Sequence, residues 1–223
     1  MNRKIIWPKL QELGFQGSYT DFDTARKQVL TNSQLEYMAP PIKPQSKVTP
    51  FLKFVVDKLR VTDLPLKKIR EITEAGWQYH QTVAKCYPGT RTALQWIHDQ
   101  GLKLAVVSNW YQELIEDYLD QLEIHHFFDT VVTSERAGAL KADLKPFQIA
   151  LDELEVKPHR TLHVGDSVSQ DGACRRLGIT YILNIWHLDD HPEESVSSLS
   201  EDQYDYIVTS FSELVELLRT LIR

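Results

Sequence analysis

The 223-residue sequence predicts an α/β protein: a three-layer, doubly wound parallel sheet with an α-helical cap unit at its amino end. Three observations carry this reading. Short apolar runs alternate with amphipathic helical stretches after Tyr87, the rhythm of βαβ units and a parallel sheet covered on both faces. Before Cys86 there are helical patterns and no convincing strand. A 42% hydrophobic chain of this length can bury one α/β core, with room for a small accessory unit.

The expected division is therefore residues 1–86 as a helical cap region and 87–223 as a Rossmann-like core. In the first region, "ARKQVLTNSQLEYM" and "PFLKFVVDKLR" read as helices. They are separated by "APPIKPQSKVTP", whose four prolines forbid a continuous helix. "PLKKIREITEAGWQYHQTVAKC" follows, with Leu66, Ile69, Ile72, Trp77, Tyr79 and Val83 at roughly helical spacing. "KIIW" near the start allows at most a very short strand.

In the second region "LKLAVVSN", "DTVVTSE", "TLHVGDS", "TYILNIW" and "YDYIVTS" read as strands. "TALQWIHDQG", "QELIEDYLDQL", "KPFQIALDEL" and "SELVELLRTLI" read as the helices between and after them. Ser210 followed by Glu213 predicts a capping box opening the last helix. There is no internal repeat and no low-complexity tract. Trp77, Tyr79 and Trp96 read as core or interface packing rather than as a stacking platform.

Composition excludes several classes. The two cysteines, Cys86 and Cys174, are far apart and form no ligand-spaced pattern. That argues against a disulfide framework or zinc site, and suits a reducing compartment. "MNRKIIWPKL" lacks the apolar stretch of a signal peptide, and no later run approaches a membrane span, so a cytoplasmic protein is expected. Net charge is −6 with dispersed Lys and Arg, which disfavours nucleic acid as a partner. Nothing in the pattern reports an oligomeric state.

The chemistry-bearing positions lie at the carboxyl ends of the expected strands, where open parallel sheets bind ligands. The first strand ends in Ser108-Asn109. The second ends in Ser134-Glu135, with Lys141 in the following loop. "TLHVGD" ends in Asp166, and Asp171 opens the next helix. A phosphoryl group would find a donor in Ser108 and charge neutralisation in Lys141. Asp166 and Asp171 would offer the hard carboxylate oxygens that magnesium prefers. Each residue also has a structural reading. Ser108 could end a strand or cap a helix, Lys141 could be a solvated loop lysine, and both acids could simply suit a helix start. "WHLDDHPEE", with His187, Asp189, Asp190 and His191, reads as an acidic loop in preference to a transition-metal site.

The order and placement of the four residues resemble the haloacid dehalogenase (HAD) superfamily, in its cap-bearing, phosphatase-like branch. "YPGTRTALQWIHDQGLKLAVVSN" is similar to that family's second motif, with Ser108 at the motif position. "SERAGALKADLKPFQIAL" is similar to the third and identifies Lys141, with Lys145 as a competitor. "HVGDSVSQD" is similar to the fourth, identifying Asp166 and Asp171. The resemblance implies Ser108 and Lys141 as catalytic groups, and Ser108, Asn109 and Lys141 as the substrate-binding set. It further implies Mg2+ at Asp166 and Asp171 and a small phosphorylated metabolite as substrate. Lys141-Ala142-Asp143-Leu144 stands where the family commonly has Lys-Pro-Asp-Pro, so a less rigid lysine loop is expected.

The family's first motif is an apolar strand ending in Asp-x-Asp. Its first aspartate attacks phosphorus to form an aspartyl-phosphate, and its second serves as general acid and base. That motif has no convincing counterpart here. "SYTDFDTA" contains Asp21-x-Asp23-Thr24, but the preceding "GFQGSYT" makes a poor buried strand, so Asp21 is a weak candidate and Asp23 and Thr24 read as surface residues. In the family this strand lies centrally, between those equivalent to "VVSN" and "HVGD". Without it a slot is expected in the sheet unless residues 3–7 fill it. A truncated amino terminus is the favoured explanation, and a diverged, inactive member the second. The functional expectation is a magnesium-dependent phosphatase, with a non-catalytic phosphate- or metabolite-binding homologue as the alternative and a dehalogenase behind both.

Overall fold

The computed structural model describes residues 6–25, 56, 59, 64–186 and 200–222. The chain divides into two compact units, Met1–Ala84 and Lys85–Arg223. Among the described residues no helix is long and apolar enough to cross a membrane.

The described part of the first unit is helical. Helix α1, Trp7–Glu12, has Pro8 in its first turn, tolerated there because the first helical N–H groups have no partner in any case. Residues 19–25 form α2. Ser18 precedes it, and its N–H and hydroxyl both donate to Asp21 Oδ2, at 2.8 and 2.7 Å, while Asp21 N donates back to Ser18 Oγ at 3.2 Å. Asp21 is thus part of a reciprocal cap. Those bonds to Ser18 hold its carboxyl below the usual range. Helix α3 spans Leu66–Val83. Ile6, Leu10, Phe22, Ala25, Val56, Ile69 and Ile72 form the core of this unit. Ile6 belongs to that core and Trp7 opens α1, so neither residue supplies the strand that "KIIW" allows; residues 3–5 lie outside the described residues. So do nearly all of "ARKQVLTNSQLEYM" and "PFLKFVVDKLR", the proline-rich stretch between them, and "HLDDHPEE" after Trp186.

The described residues of the second unit include five strands. β1 (Ala105–Ser108) pairs in parallel with β2 (Thr130–Thr133), aligning Ser108 with Thr133. β3 (Leu162–Gly165) pairs in parallel with β4 (Thr180–Asn184), and β4 with β5 (Tyr206–Val208). Helix α4 is Thr90–Asp99, α5 Gln112–Gln121, α6 the single turn Ser134–Ala137, α7 Lys145–Leu154 and α8 Phe211–Leu221. Side chains alternate along a strand, and β4 uses both faces. Tyr181 and Leu183 pack in one cluster with Phe147 and Leu151 of α7. Ile182 packs in another with Ile97 of α4 and Leu214 and Leu218 of α8. This is the doubly covered sheet that continuous apolar strands require.

Ser210 Oγ caps α8 by accepting from Glu213 N at 3.2 Å. The reciprocal half of the expected box goes elsewhere, since Glu213 Oε2 accepts from Thr209 N at 2.7 Å.

The sheet is in two parts, β2–β1 and β3–β4–β5. A cavity of about 380 Å³ lies between β1 and β3, lined by Leu104, Val106 and Val107 on one wall and Leu162, His163 and Val164 on the other. Burial is inverted around it. Every residue of β1 and the first three of β3 are only partly buried, whereas Val131–Thr133 and Tyr181–Asn184 are buried. In a continuous sheet, β1 and β3 would be the protected strands.

Candidate active site

Three loops at the carboxyl ends of β1, β2 and β3 meet on one side of this unit. β1 ends at Ser108, and Asn109 follows in the loop to α5. The Asn109 side chain ties the other two loops together: its Oδ1 accepts from Lys141 N and its Nδ2 donates to Gln170 Oε1, both at 2.8 Å.

Lys141 opens a short 3-10 turn, Lys141–Asp143, before α7. Lacking the prolines, the turn is held by other means. Asp143 Oδ2 accepts from Leu140 N at 3.1 Å, and the Arg176 guanidinium donates to Ala142 O. Leu144 ends the turn at φ +69°, a left-handed conformation that non-glycine residues adopt only at a cost of about 1–2 kcal/mol. It packs beside the cluster of Phe147, Cys174 and Tyr181. The lysine loop is thus strained and tightly tethered.

The Lys141 ammonium donates to Asp171 Oδ1. His163 Nε2 meets the same oxygen at 2.7 Å, and Ser167 N donates to Asp171 Oδ2 at 3.0 Å. An ionised carboxylate only accepts, so His163 carries its proton on Nε2. The side chains of Asp171, Lys141 and His163 are 1%, 13% and 14% exposed. Burial by itself pushes the Asp171 carboxyl up. The His163 hydrogen bond and the Lys141 charge outweigh it and hold the group at about 2.

Asp171 is packed against the Gly165 backbone so closely that a Cβ on Gly165 would fall within its carboxyl group. Tyr181 OH donates to Gly165 O at 3.2 Å, and its phenol is pushed strongly up, mainly by burial. The His163 ring lies edge-on to Phe147, with centroids 4.8 Å apart.

Of the residues expected from the sequence, Asn109, Lys141 and Asp171 are joined in this network. Ser108 lies one residue before Asn109 at the end of β1, and Asp166 is exposed immediately after β3. Lys145 is exposed at the start of α7. Asp21 lies in the helical unit, in the α2 cap. Sequence reasoning missed His163 and Gln170. His163 had a signal, because it is the one polar residue within the apolar run before Gly165. Its partner eight residues on had none.

Among the described residues no three His, Cys, Asp or Glu side chains are grouped to hold a metal. Asp171 already has three donors, and Asp166 is open. This donor set fits a magnesium ion that takes one protein carboxylate and completes its shell with water and phosphate oxygens.

The haloacid dehalogenase-like hydrolase family matches residues 23–184, a span containing all of these loops. The chain is 31% identical over 155 residues to glyceraldehyde 3-phosphate phosphatase of Methanocaldococcus jannaschii, covering 67% of this chain and 65% of that protein. It is 31% identical over 134 residues to phosphoglycolate phosphatase of Aquifex aeolicus, covering 60% and 59%. The chain thus spans somewhat under two thirds of the length of these relatives. Among solved structures, the magnesium-bound YfnB of Bacillus subtilis superimposes with a TM-score of 0.70 at 12% identity, over 98% of this chain and 91% of that one. Motif order, loop geometry and the extent of the family match agree, and the chain belongs to the haloacid dehalogenase-like hydrolases.

Proposed function

We propose that the protein acts as a magnesium-dependent phosphatase on a small phosphorylated metabolite. The observation that carries this reading is the convergence of Asn109, Lys141 and Asp171 at the carboxyl edge of β1 and β3, with Asp166 beside them. The names of the relatives support a substrate in the class of phosphoglycolate or glyceraldehyde 3-phosphate.

In this reading Ser108 and Asn109 donate to phosphate oxygens, and the Lys141 ammonium neutralises the charge that builds on them. Asp171 and His163 set where that ammonium points. Asp166 holds Mg2+, and Asp171, with three of its roughly four acceptor sites taken by Lys141, His163 and Ser167, has one left for the ion. The ion supplies charge neutralisation and orientation for the phosphoryl group. The helical unit serves as the cap, and the protein works in the cytoplasm.

A second reading, a non-catalytic phosphate-binding homologue, is favoured by a separate observation. Among the described residues no carboxylate lines the cavity between β1 and β3, beside which a nucleophile would stand.

Two assays on the full chain separate these readings. Phosphate release from phosphoglycolate and from glyceraldehyde 3-phosphate is measured with magnesium and with EDTA, for the natural protein and Lys141→Ala. Binding of inorganic phosphate is measured by calorimetry. Release that requires both magnesium and Lys141 supports the phosphatase, while phosphate binding that needs Lys141 without any release supports the second reading. Failure of Lys141→Ala to alter either quantity overturns both.

A further inference from the structure

β3 carries one polar side chain among apolar neighbours, His163. Side chains alternate along a strand, and Leu162 and Val164 pack with Ile97 of α4 and Leu214 of α8. His163 turns to the opposite face, toward α7. There its ring is held from two sides. Phe147 of α7 meets it edge-on, and Tyr181, its register partner on β4, stacks on it with centroids 6.2 Å apart and planes 21° apart. An apolar side chain would fill this place without the cost of burying an imidazole, so the polar atom calls for a reason.

The reason lies in Asp171. Each carboxylate oxygen has about two acceptor positions. Oδ1 accepts from the Lys141 ammonium and, at 2.7 Å, from His163 Nε2, and is thereby full. Among the described residues Oδ2 accepts from Ser167 N, at 3.0 Å, and keeps one position open. Close packing on Gly165 fixes where the carboxyl group lies, and the donors fix which position remains. Without the imidazole, open positions would be divided between the two oxygens. The carboxylate would then be free to turn, making it a less ordered ligand for a cation and a less constant partner for Lys141.

We propose, resting on the magnesium-phosphatase reading above, that His163 is a positioning residue for the ion. It seals Asp171 Oδ1 on the lysine side, so that magnesium meets Asp171 through Oδ2 alone and the Lys141 ammonium keeps its place. No change of protonation is needed, because the imidazole in this tautomer and the imidazolium both donate from Nε2. His163 acts through Asp171 and not on the phosphoryl group itself.

The test compares the full chain with His163→Phe, which keeps an aromatic ring and removes the donor, and His163→Gln, whose amide restores a donor. Magnesium binding to the folded proteins is measured by calorimetry, with urea unfolding beside it. His163→Phe should bind magnesium about ten-fold or more weaker, as when a hydrogen-bond partner of a metal ligand is removed. His163→Gln should recover most of that loss. A further measurement uses the natural protein. Proton–nitrogen NMR of its imidazoles should show a slowly exchanging Nε2–H, assigned to His163 by its absence from His163→Gln, that persists when magnesium is added.

Unchanged magnesium affinity in His163→Phe, with only its unfolding midpoint lowered, overturns the proposal in favour of a structural imidazole and leaves the phosphatase reading standing. Equal losses in both variants overturn it too, since the donor is then not what matters. Disappearance of the Nε2–H signal on adding magnesium overturns it even if His163→Phe does not fold. A natural protein that binds no magnesium overturns both the proposal and the reading on which it rests.

Discussion

The ammonium of Lys141 is bonded to the carboxylate of Asp171, thirty residues further along the chain and itself almost wholly buried. Each residue opens a short turn after a different strand, and the pair joins the two separated parts of the sheet. His163 and Ser167 bind the same carboxylate, so the acid is the hub of the network and the lysine one of its spokes.

The asymmetry predicts unequal costs. Asp171→Ala leaves Lys141 and His163 buried without their acceptor and should destabilise the α/β unit by about 3–5 kcal/mol, the range for removing one partner of a buried pair. Lys141→Met keeps His163 and Ser167 on the acid and should cost about 1–3 kcal/mol, as for a hydrogen bond to a charged group. Urea unfolding of both variants tests the order. Equal losses would mean that the acid is not the hub.

Acid should weaken the same hub. The Asp171 carboxyl is held at about 2 against an ordinary 3.8, so the folded state favours the charged form. Its contribution is complete above the ordinary value and is lost as pH falls from about 4 toward 2, amounting to about 2 kcal/mol. Stability measured from pH 6 to pH 2 should show this loss, and Asp171→Asn should remove that part of the pH dependence.

Gly165 is required by contact rather than by backbone angle. An added methyl group meets the Asp171 carboxyl, and Asp171 cannot retreat without leaving Lys141 and His163. Gly165→Ala should cost about 1–3 kcal/mol, as overpacking does. It should also weaken phosphate binding wherever Lys141→Ala does. A stable Gly165→Ala protein with unaltered binding would show that the carboxylate position is not critical.

The two thiols should differ sharply in reactivity. Cys174 is fully buried among Phe147, Tyr181 and Leu183, and burial, aided by the charges of Asp171 and Asp205, pushes its thiol up to about 12. Cys86 is only partly buried. Under native conditions a thiol reagent should modify Cys86 alone, with Cys174 following only on unfolding. Mass spectrometry of the labelled peptides decides this.

The sequence by itself determined the alternation of elements. Five apolar runs became five strands, four helical patterns became α4, α5, α7 and α8, and Ser108, Lys141, Asp166 and Asp171 could be named as strand-end residues before any contact was known. Local patterns suffice there because period and turn chemistry are properties of neighbouring residues. Tertiary structure decided the rest. It trimmed "LKLAVVSN" to four paired residues, sent the Glu213 carboxylate to Thr209, and placed Asp21 in a helix cap. It also brought His163 onto Asp171, an encounter that depends on how β3 and the loop after it fold back on each other. The inverted burial of β1 and β3 was equally beyond local reading. A strand carries the same side chains whether its second edge is paired or open, so the cavity exists only in the relation between two strands that are distant in sequence.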